Sequence, residues 1–341
     1  MGILSAVFVI IGVIIGAGFA SGKEIYSFFF VHGIYGAFGM LISSGLIGII
    51  IYKTLKLIKK YDIDSYDEFF NVVMGNFETK HISFRLILDF IINIFLLITF
   101  FVMCAGFIAY FKQELGINEI ISGIFVAFFS YILLNKNIKG IVVLNSILIP
   151  TIIVILFFLG IKMLDFNFEM ESIETNFLWL KNAILYASYN SITLTAILIP
   201  IKKYIKKDSD ILKISFLCTL IIALLAIIIF IILLSINGDI SKIELPTVYG
   251  VSMLGIGYKY LYGIILLGAI VTTAISSAYS FLNNVAKTKT KYNMYNKIVC
   301  ATAIFVSLFG FSNLVNNLYP FFGMLGIIQL IFVLKKKTCN H

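Results

Sequence analysis

Apolar residues run along this chain in long stretches, without the strict alternation of a half-buried strand. Bounded by charged or turn residues, the stretches fall at about 3–30, 34–58, 83–111, 117–134, 138–163, 178–202, 211–235, 257–283, 294–311 and 314–334. An α-helix needs roughly 20 apolar residues to cross a bilayer, so the pattern predicts ten membrane spans. Outer-membrane barrel strands would instead be ~10-residue alternating segments, and residues 211–234 are continuously apolar. The predicted fold class is therefore an all-α polytopic membrane protein. Two insertions interrupt the rhythm: 65–74 (SYDEFFNVVM) after span 2, and 240–255, containing Pro246, after span 7. Both read as amphipathic segments at the membrane surface.

Composition sharpens the class. Of the 341 residues, 60% are apolar and 13% charged, with mean hydropathy +1.04, whereas a soluble domain carries about 25% charged residues. A water-soluble fold is excluded, and ten spans leave room for one membrane domain over residues 1–341 and nothing appended. The first apolar run has neither a basic region nor a small-residue cleavage site before it, so it is expected to be a retained span. Four cysteines, Cys104, Cys218, Cys300 and Cys339, show no paired spacing, which points to neither a disulfide framework nor a metal centre.

The net charge of +9 needs no nucleic acid to explain it, because lysine and arginine gather in loops that stay in the cytoplasm. With the N-terminus inside, 20 of the 26 Lys/Arg fall in inner loops, among them Lys53, Lys56, Lys59, Lys60, Lys202, Lys203, Lys206, Lys207, Lys335, Lys336 and Lys337. Cytoplasmic N- and C-termini in a plasma membrane follow. The outer connection after span 5 carries Asp165, Glu169, Glu171 and Glu174.

Ten spans divide into two fives, and an odd-numbered unit that duplicates lies inverted in the bilayer. The expected repeats cover about 1–163 and 178–341. Corresponding spans 1 and 6 each carry an interruption: Gly16, Ala17 and Gly18 in the first, residues 186–191 (YASYNS) in the second. No residue identity links the halves, so the repeat rests on topology.

Span 1 holds Gly12, Gly16, Gly18 and Gly22 in GVIIGAGFASGKEI. Small-xxx-small spacing is a helix-packing signature. At ~100° per residue, however, Gly16 and Gly18 point to nearly opposite sides of a helix, and local unwinding accounts for both better. Unwinding frees N–H groups that hold an anion such as a carboxylate, and carbonyls that hold a cation. Lys23 and Glu24, a turn and a half beyond, are expected in an outer vestibule as gate or coupling groups, or as a snorkelling pair. Asp89 in span 3 reads either as a proton-coupling carboxyl or as a bond to a neighbouring helix.

Span 6 concentrates Tyr186, Ser188, Tyr189, Asn190, Ser191 and Thr193 at mid-membrane depth, as a site opposite the glycines or as interhelical glue. On span 8, Thr273, Ser276, Ser277 and Ser280 share one face with Thr272 nearby, a set that suits a hard monovalent cation or simply bonds back to its own helix. In span 10, Asn316, Asn317, Tyr319 and Pro320 point to a kinked wall, as Pro150 does in span 5.

GAGFASGKEI and YASYN resemble the YkvI-type bacterial membrane proteins, an amino acid permease family of the amino acid–polyamine–organocation superfamily, over nearly the whole chain. The resemblance implies a LeuT-like fold, ten helices in a 5+5 inverted repeat, with spans 1 and 6 discontinuous. It further implies a substrate carboxylate on the amides of Gly16, Ala17, Gly18 and Phe19, with Tyr189 and Asn190 contributing. For sodium as a coupling ion it implies the carbonyls of Gly12 and Ile15, with Thr273, Ser276 and Ser277. Sodium-independent relatives place a lysine in span 5, where this chain has only Lys139 and Lys162 at the ends. Lys23 and Glu24 depart from the pattern and could supply a charge pair or a proton carrier instead.

The resulting expectation is a secondary active transporter of a small amino acid or similar zwitterion, with spans 1, 2, 6 and 7 rocking against the rest. The alternative is an amino-acid-sensing receptor subunit of the same fold. No P-loop supports an ATP-driven pump. His32, His81 and His341 lie at or beyond span ends, and no HExxH or nucleophile–base pair supports an enzyme. No cofactor or nucleic-acid partner is expected, only the lipid bilayer and a small-molecule substrate.

Overall fold

A computed structural model describes residues 2–74, 82–136, 139–164 and 177–336. The acidic connection at 165, 169, 171 and 174, and His81, Lys337, Cys339 and His341, lie outside them. The described chain forms α1 Ile3–Ile14, α2 Ala17–Ala20, α3 Lys23–Phe28, α4 Gly33–Tyr61, α5 Tyr66–Met74, α6 Ile82–Leu115, α7 Glu119–Leu134, α8 Lys139–Met163, α9 Leu178–Ile201, α10 Asp208–Leu234, α11 Pro246–Ser252, α12 Ile256–Val285, α13 Lys289–Ser307 and α14 Phe311–Lys335. Large apolar side chains such as Leu212, Phe216, Ile264 and Phe305 stand exposed on its flanks, a surface that suits lipid and not water.

Among the described residues, five helices are long and apolar enough to cross a membrane: Lys23–Tyr61 (counted through its turn at Phe30–His32), Asp89–Leu115, Asp208–Leu234, Ile256–Val285 and Phe311–Lys335. The bent pair Leu178–Thr195 and Ile197–Tyr204 makes a sixth. The shortfall from ten has local causes. Span 1 is cut into pieces of 12, 4 and 6 residues. Ile147–Met163 and Glu119–Leu134 are apolar but short, and α13 begins with Lys289, Lys291 and Lys297.

The helices pack in two groups. In the first, α1 and α4 each touch α9 and α10; in the second, α6, α7, α12 and α13 touch one another. α14 lies against α9 and α6, while α8 joins α12 to α10 and α1. On α14, glycine lets the backbone of α9 come close: a Cβ on Gly326 would collide with the Ser188 carbonyl, and one on Gly323 would sit 2.6 Å from that of Leu185. Gln329 completes the α9–α14 seam, its Nε2 donating to the Ser191 carbonyl at 2.8 Å and the Thr195 hydroxyl at 2.5 Å.

The expected interruption of span 6 at 186–191 is corrected. α9 runs helically from Leu178 to Ile201, because its polar side chains bond within the helix: Asn190 Nδ2 donates to the Tyr186 carbonyl at 3.0 Å, Ser191 Oγ to that of Ser188 at 2.7 Å, and Thr193 Oγ1 to that of Asn190 at 3.0 Å. The bend, 59°, comes later, between Thr195 and Ile197. Pro200 accounts for it, since proline has no N–H and its ring clashes with the carbonyl four residues back. The 240–255 insertion is corrected too. Instead of lying on a surface, α11 is buried at Pro246, Thr247, Val248, Gly250 and Val251.

Candidate binding site at the break in the first span

α1 ends where Ile15 N–H bonds to the Ile11 carbonyl at 2.7 Å. Gly16 is extended at φ −71°, ψ 177°, and the helix restarts with Ala20 N–H on the Gly16 carbonyl at 3.0 Å. Two sets of main-chain groups are left over. Among the described residues, the N–H groups of Ala17, Gly18 and Phe19 find no backbone acceptor, and the carbonyls of Gly12, Val13, Ile14 and Ile15 find no backbone donor. All four residues of α2 are buried, as are Ile14 and Ile15, while Gly12 and Val13 are half-buried, and a main-chain group in the interior needs a partner. A second turn follows at Gly22, whose φ of 78° is a left-handed conformation that glycine adopts without strain.

Lys23 and Glu24 are not in a vestibule. Both are buried, at 0% and 2% exposure, and their side chains leave the helix in different directions. Lys23 Nζ donates to the carbonyls of Ser241 at 3.2 Å and Ile243 at 3.0 Å and lies 5.0 Å from the Tyr26 ring centre. Glu24 turns back over the break. Its Oε2 accepts from the Tyr186 hydroxyl at 3.1 Å, and its Oε1 lies where a Cβ on Gly18 would be. The sequence placed the pair outward because it could not show that residues 239–252 close over span 1.

That closure is built from bonds distant in sequence. Thr247 N–H donates to the Ser21 carbonyl at 3.0 Å, while Thr247 Oγ1 and the Tyr262 hydroxyl both donate to that of Ala20, at 2.7 and 2.5 Å. Gln113 exchanges bonds with Leu245, accepting at 3.1 Å and donating at 3.4 Å. Glu244 Oε2 accepts from Ser312 N–H at 2.6 Å.

Aromatic rings wall the break from the α9 side. Tyr186 meets Phe28 and Phe29 edge-on at 5.2 Å each. Tyr189 stacks on Tyr319 at 4.7 Å and lies 6.1 Å from Tyr186. Tyr319 and Phe28 join this site without having been singled out for it in the sequence; the YASYN run offered Tyr186 among the span 6 groups opposite the glycines, but nothing local announces the span 10 partner. Phe19 is buried beside the break, and Asn190 is buried with its amide already bonded to its own helix. Ser188 Oγ is buried without a hydrogen-bond partner.

The sodium candidates divide by their bonding. On α12, Thr272 Oγ1 bonds back to the Ala269 carbonyl at 3.2 Å and Ser280 Oγ to that of Ser276 at 2.8 Å. Thr273, Ser276 and Ser277 are half-buried, and no hydrogen bond engages their hydroxyls among the described residues. These hydroxyls and the Gly12 and Ile15 carbonyls are each neutral oxygens, the chemistry a hard cation takes. α12 meets the broken span through Tyr262 at Ala20. Asp89 is half-buried, its carbonyl accepting from Asn93 Nδ2 at 2.8 Å; Asn93 in turn links to α12, its Oδ1 accepting from Asn284 at 3.0 Å.

The chain superposes on a manganese transporter of Eremococcus coleocola, solved with an aromatic bis-isothiourea compound, with TM-score 0.61 and 13% identity over 96% of this chain and 77% of that one. Mhp1, a nucleobase-cation-symport-1 family transporter closed around bromovinylhydantoin, matches with TM-score 0.50 and 14% identity over 96% and 71%. At such identities the likeness is one of fold alone, shared with transporters of LeuT-like fold. In sequence, the chain is 26% identical to the uncharacterized membrane protein YkvI of Bacillus subtilis (strain 168) over 338 residues, 97% of this chain and 95% of that protein. It is also 26% identical to YyaD of the same bacterium over 337 residues, 95% and 94%. No family model matches.

Proposed function

We propose that the protein is a secondary active transporter of a small amino acid or similar zwitterion, working by alternating access. The carrying observation is the break itself: unpaired N–H groups at Ala17, Gly18 and Phe19 and unpaired carbonyls before them, held inside the bundle against α9. The two packed helix groups supply the bodies that would move, α1, α4, α9 and α10 against the others. In this reading all ten apolar stretches span, in a 5+5 inverted arrangement with cytoplasmic termini. The manganese transporter's cargo does not carry over well: no cluster of three His, Cys, Asp or Glu side chains suited to a metal ion occurs among the described residues.

Sodium coupling rests on the free oxygens of Gly12, Ile15, Thr273, Ser276 and Ser277. The test is uptake of labelled amino acids into proteoliposomes with and without a sodium gradient. Sodium-dependent uptake is expected, and Ser276→Ala or Ser277→Ala should weaken it; unchanged sodium dependence in both variants removes the cation site. Binding without any uptake would favour a receptor of the same fold.

The loop closure makes a second prediction. Each of the two bonds from Lys23 to a carbonyl contributes about 1.5–3 kcal/mol as a hydrogen bond to a charged group, so Lys23→Met should let the outer side open more often. In a Ser21→Cys background, a membrane-impermeant thiol reagent applied outside should react about tenfold faster or more, the factor expected from 1.4 kcal/mol. An unchanged rate would mean that Lys23 does not hold the loop.

A further inference from the structure

Lys23 and Glu24 are the two charged residues fully buried among those described, and only one of them is satisfied. Lys23 has two carbonyl acceptors and an aromatic face. A carboxylate removed from water requires a cation or several donors, yet Glu24 has a single neutral donor, Tyr186, on Oε2. Its Oε1 faces the Gly18 main chain, and the adjacent lysine points away.

The surroundings are rich in acceptors and in electron-rich rings. Four carbonyls at the end of α1 lack donors, and the rings of Tyr186, Tyr189 and Tyr319 pack within 6.1 and 4.7 Å of one another. Acceptors, a carboxylate and aromatic faces are together the chemistry that holds an ammonium group, which brings three donors and a charge. An anion at the Gly18 amide would meet like charge within contact distance, which costs several kcal/mol in a low dielectric.

We infer that Glu24 receives the ammonium group of the ligand, so that a charged amine is the obligatory feature of the substrate class and a carboxylate the dispensable one. The inference rests on the site proposed above but changes what that site selects. It assigns Glu24 as a specificity-determining residue where the sequence offered it as a gate or coupling group.

Thermal shifts of the purified full chain with matched probes test this: alanine, ethylamine and propionate; valine, isobutylamine and isovalerate; phenylalanine, phenethylamine and 3-phenylpropionate. In at least one set the amine and the amino acid should stabilise the protein and the acid should not. Glu24→Gln should weaken the amine's apparent affinity at least tenfold, with Glu24→Asp retaining part of it. The probe comparison on the unaltered chain stands even if Glu24→Gln does not fold. The inference is overturned if no amine binds, if the acids protect as well as the amines, or if Glu24→Gln binds amines unchanged. Glu24-dependent amine binding without uptake in liposomes would sink the transport reading alone; amino acid uptake undiminished in Glu24→Gln would sink this inference alone.

Discussion

Gly326→Ala is expected to destabilise the folded protein by about 3 kcal/mol or more, at the upper end of what overpacking costs. In an unconstrained helix the same change stabilises by up to about 1 kcal/mol, because alanine is the better helix former, so the sign of the effect is itself informative. The added methyl on α14 would meet the Ser188 carbonyl of α9, with the carbonyl carbon at 2.7 Å and Ile192 Cγ1 at 3.3 Å. A main-chain carbonyl cannot rotate aside, so relief requires the two helices to separate. Separation would also pull Gln329 from the Ser191 carbonyl and the Thr195 hydroxyl, leaving buried polar groups unpaired at about 1–3 kcal/mol each. Gly45→Ala is the control: it lies within α4 with nothing within 4 Å of an added Cβ, and it should be neutral or mildly stabilising. Melting temperatures of both variants in detergent decide the matter, and equal values would mean that the α9–α14 seam tolerates expansion.

This seam also shows which parts of the architecture were readable beforehand. Apolar stretches were readable because their period and length depend on neighbouring residues alone; α4, α10, α12 and α14 cover spans 2, 7, 8 and 10. The break at Ile15 and Gly16 was readable for a similar reason, since four glycines at incompatible angles cannot serve one packing face. The YASYN run misled, because a polar stretch can unwind a helix or bond back along it, and hydroxyl and amide groups at i−3 and i−4 spacing did the latter. Pro200 carried the true signal of a bend. What could not be read is everything that joins residues far apart: Lys23 to Ile243, Tyr189 to Tyr319, Glu24 to Tyr186. An ionisable pair after a mid-membrane break looks like an outer feature until the loop that covers it is in place.

Gly18→Ala is expected to leave the fold nearly intact and to cut uptake at least tenfold, equivalent to about 1.4 kcal/mol of lost binding. The obstacle here is Glu24 Oε1, the end of a side chain able to rotate, with Cδ at 3.0 Å and Cγ at 3.2 Å. Nothing in the main chain has to yield, so the melting temperature should move far less than in Gly326→Ala. The carboxyl, however, must leave the place where it faces the unpaired main chain and the tyrosines, and whatever group it serves there loses its partner. Gly16→Ala separates this from a general intolerance of side chains at the break, because an added Cβ at Gly16 meets nothing within 4 Å and its φ of −71° is one alanine adopts freely. Near-normal uptake in Gly16→Ala with loss in Gly18→Ala would tie function to the position of Glu24. Equal uptake in both would show that the acid need not lie over Gly18 at all.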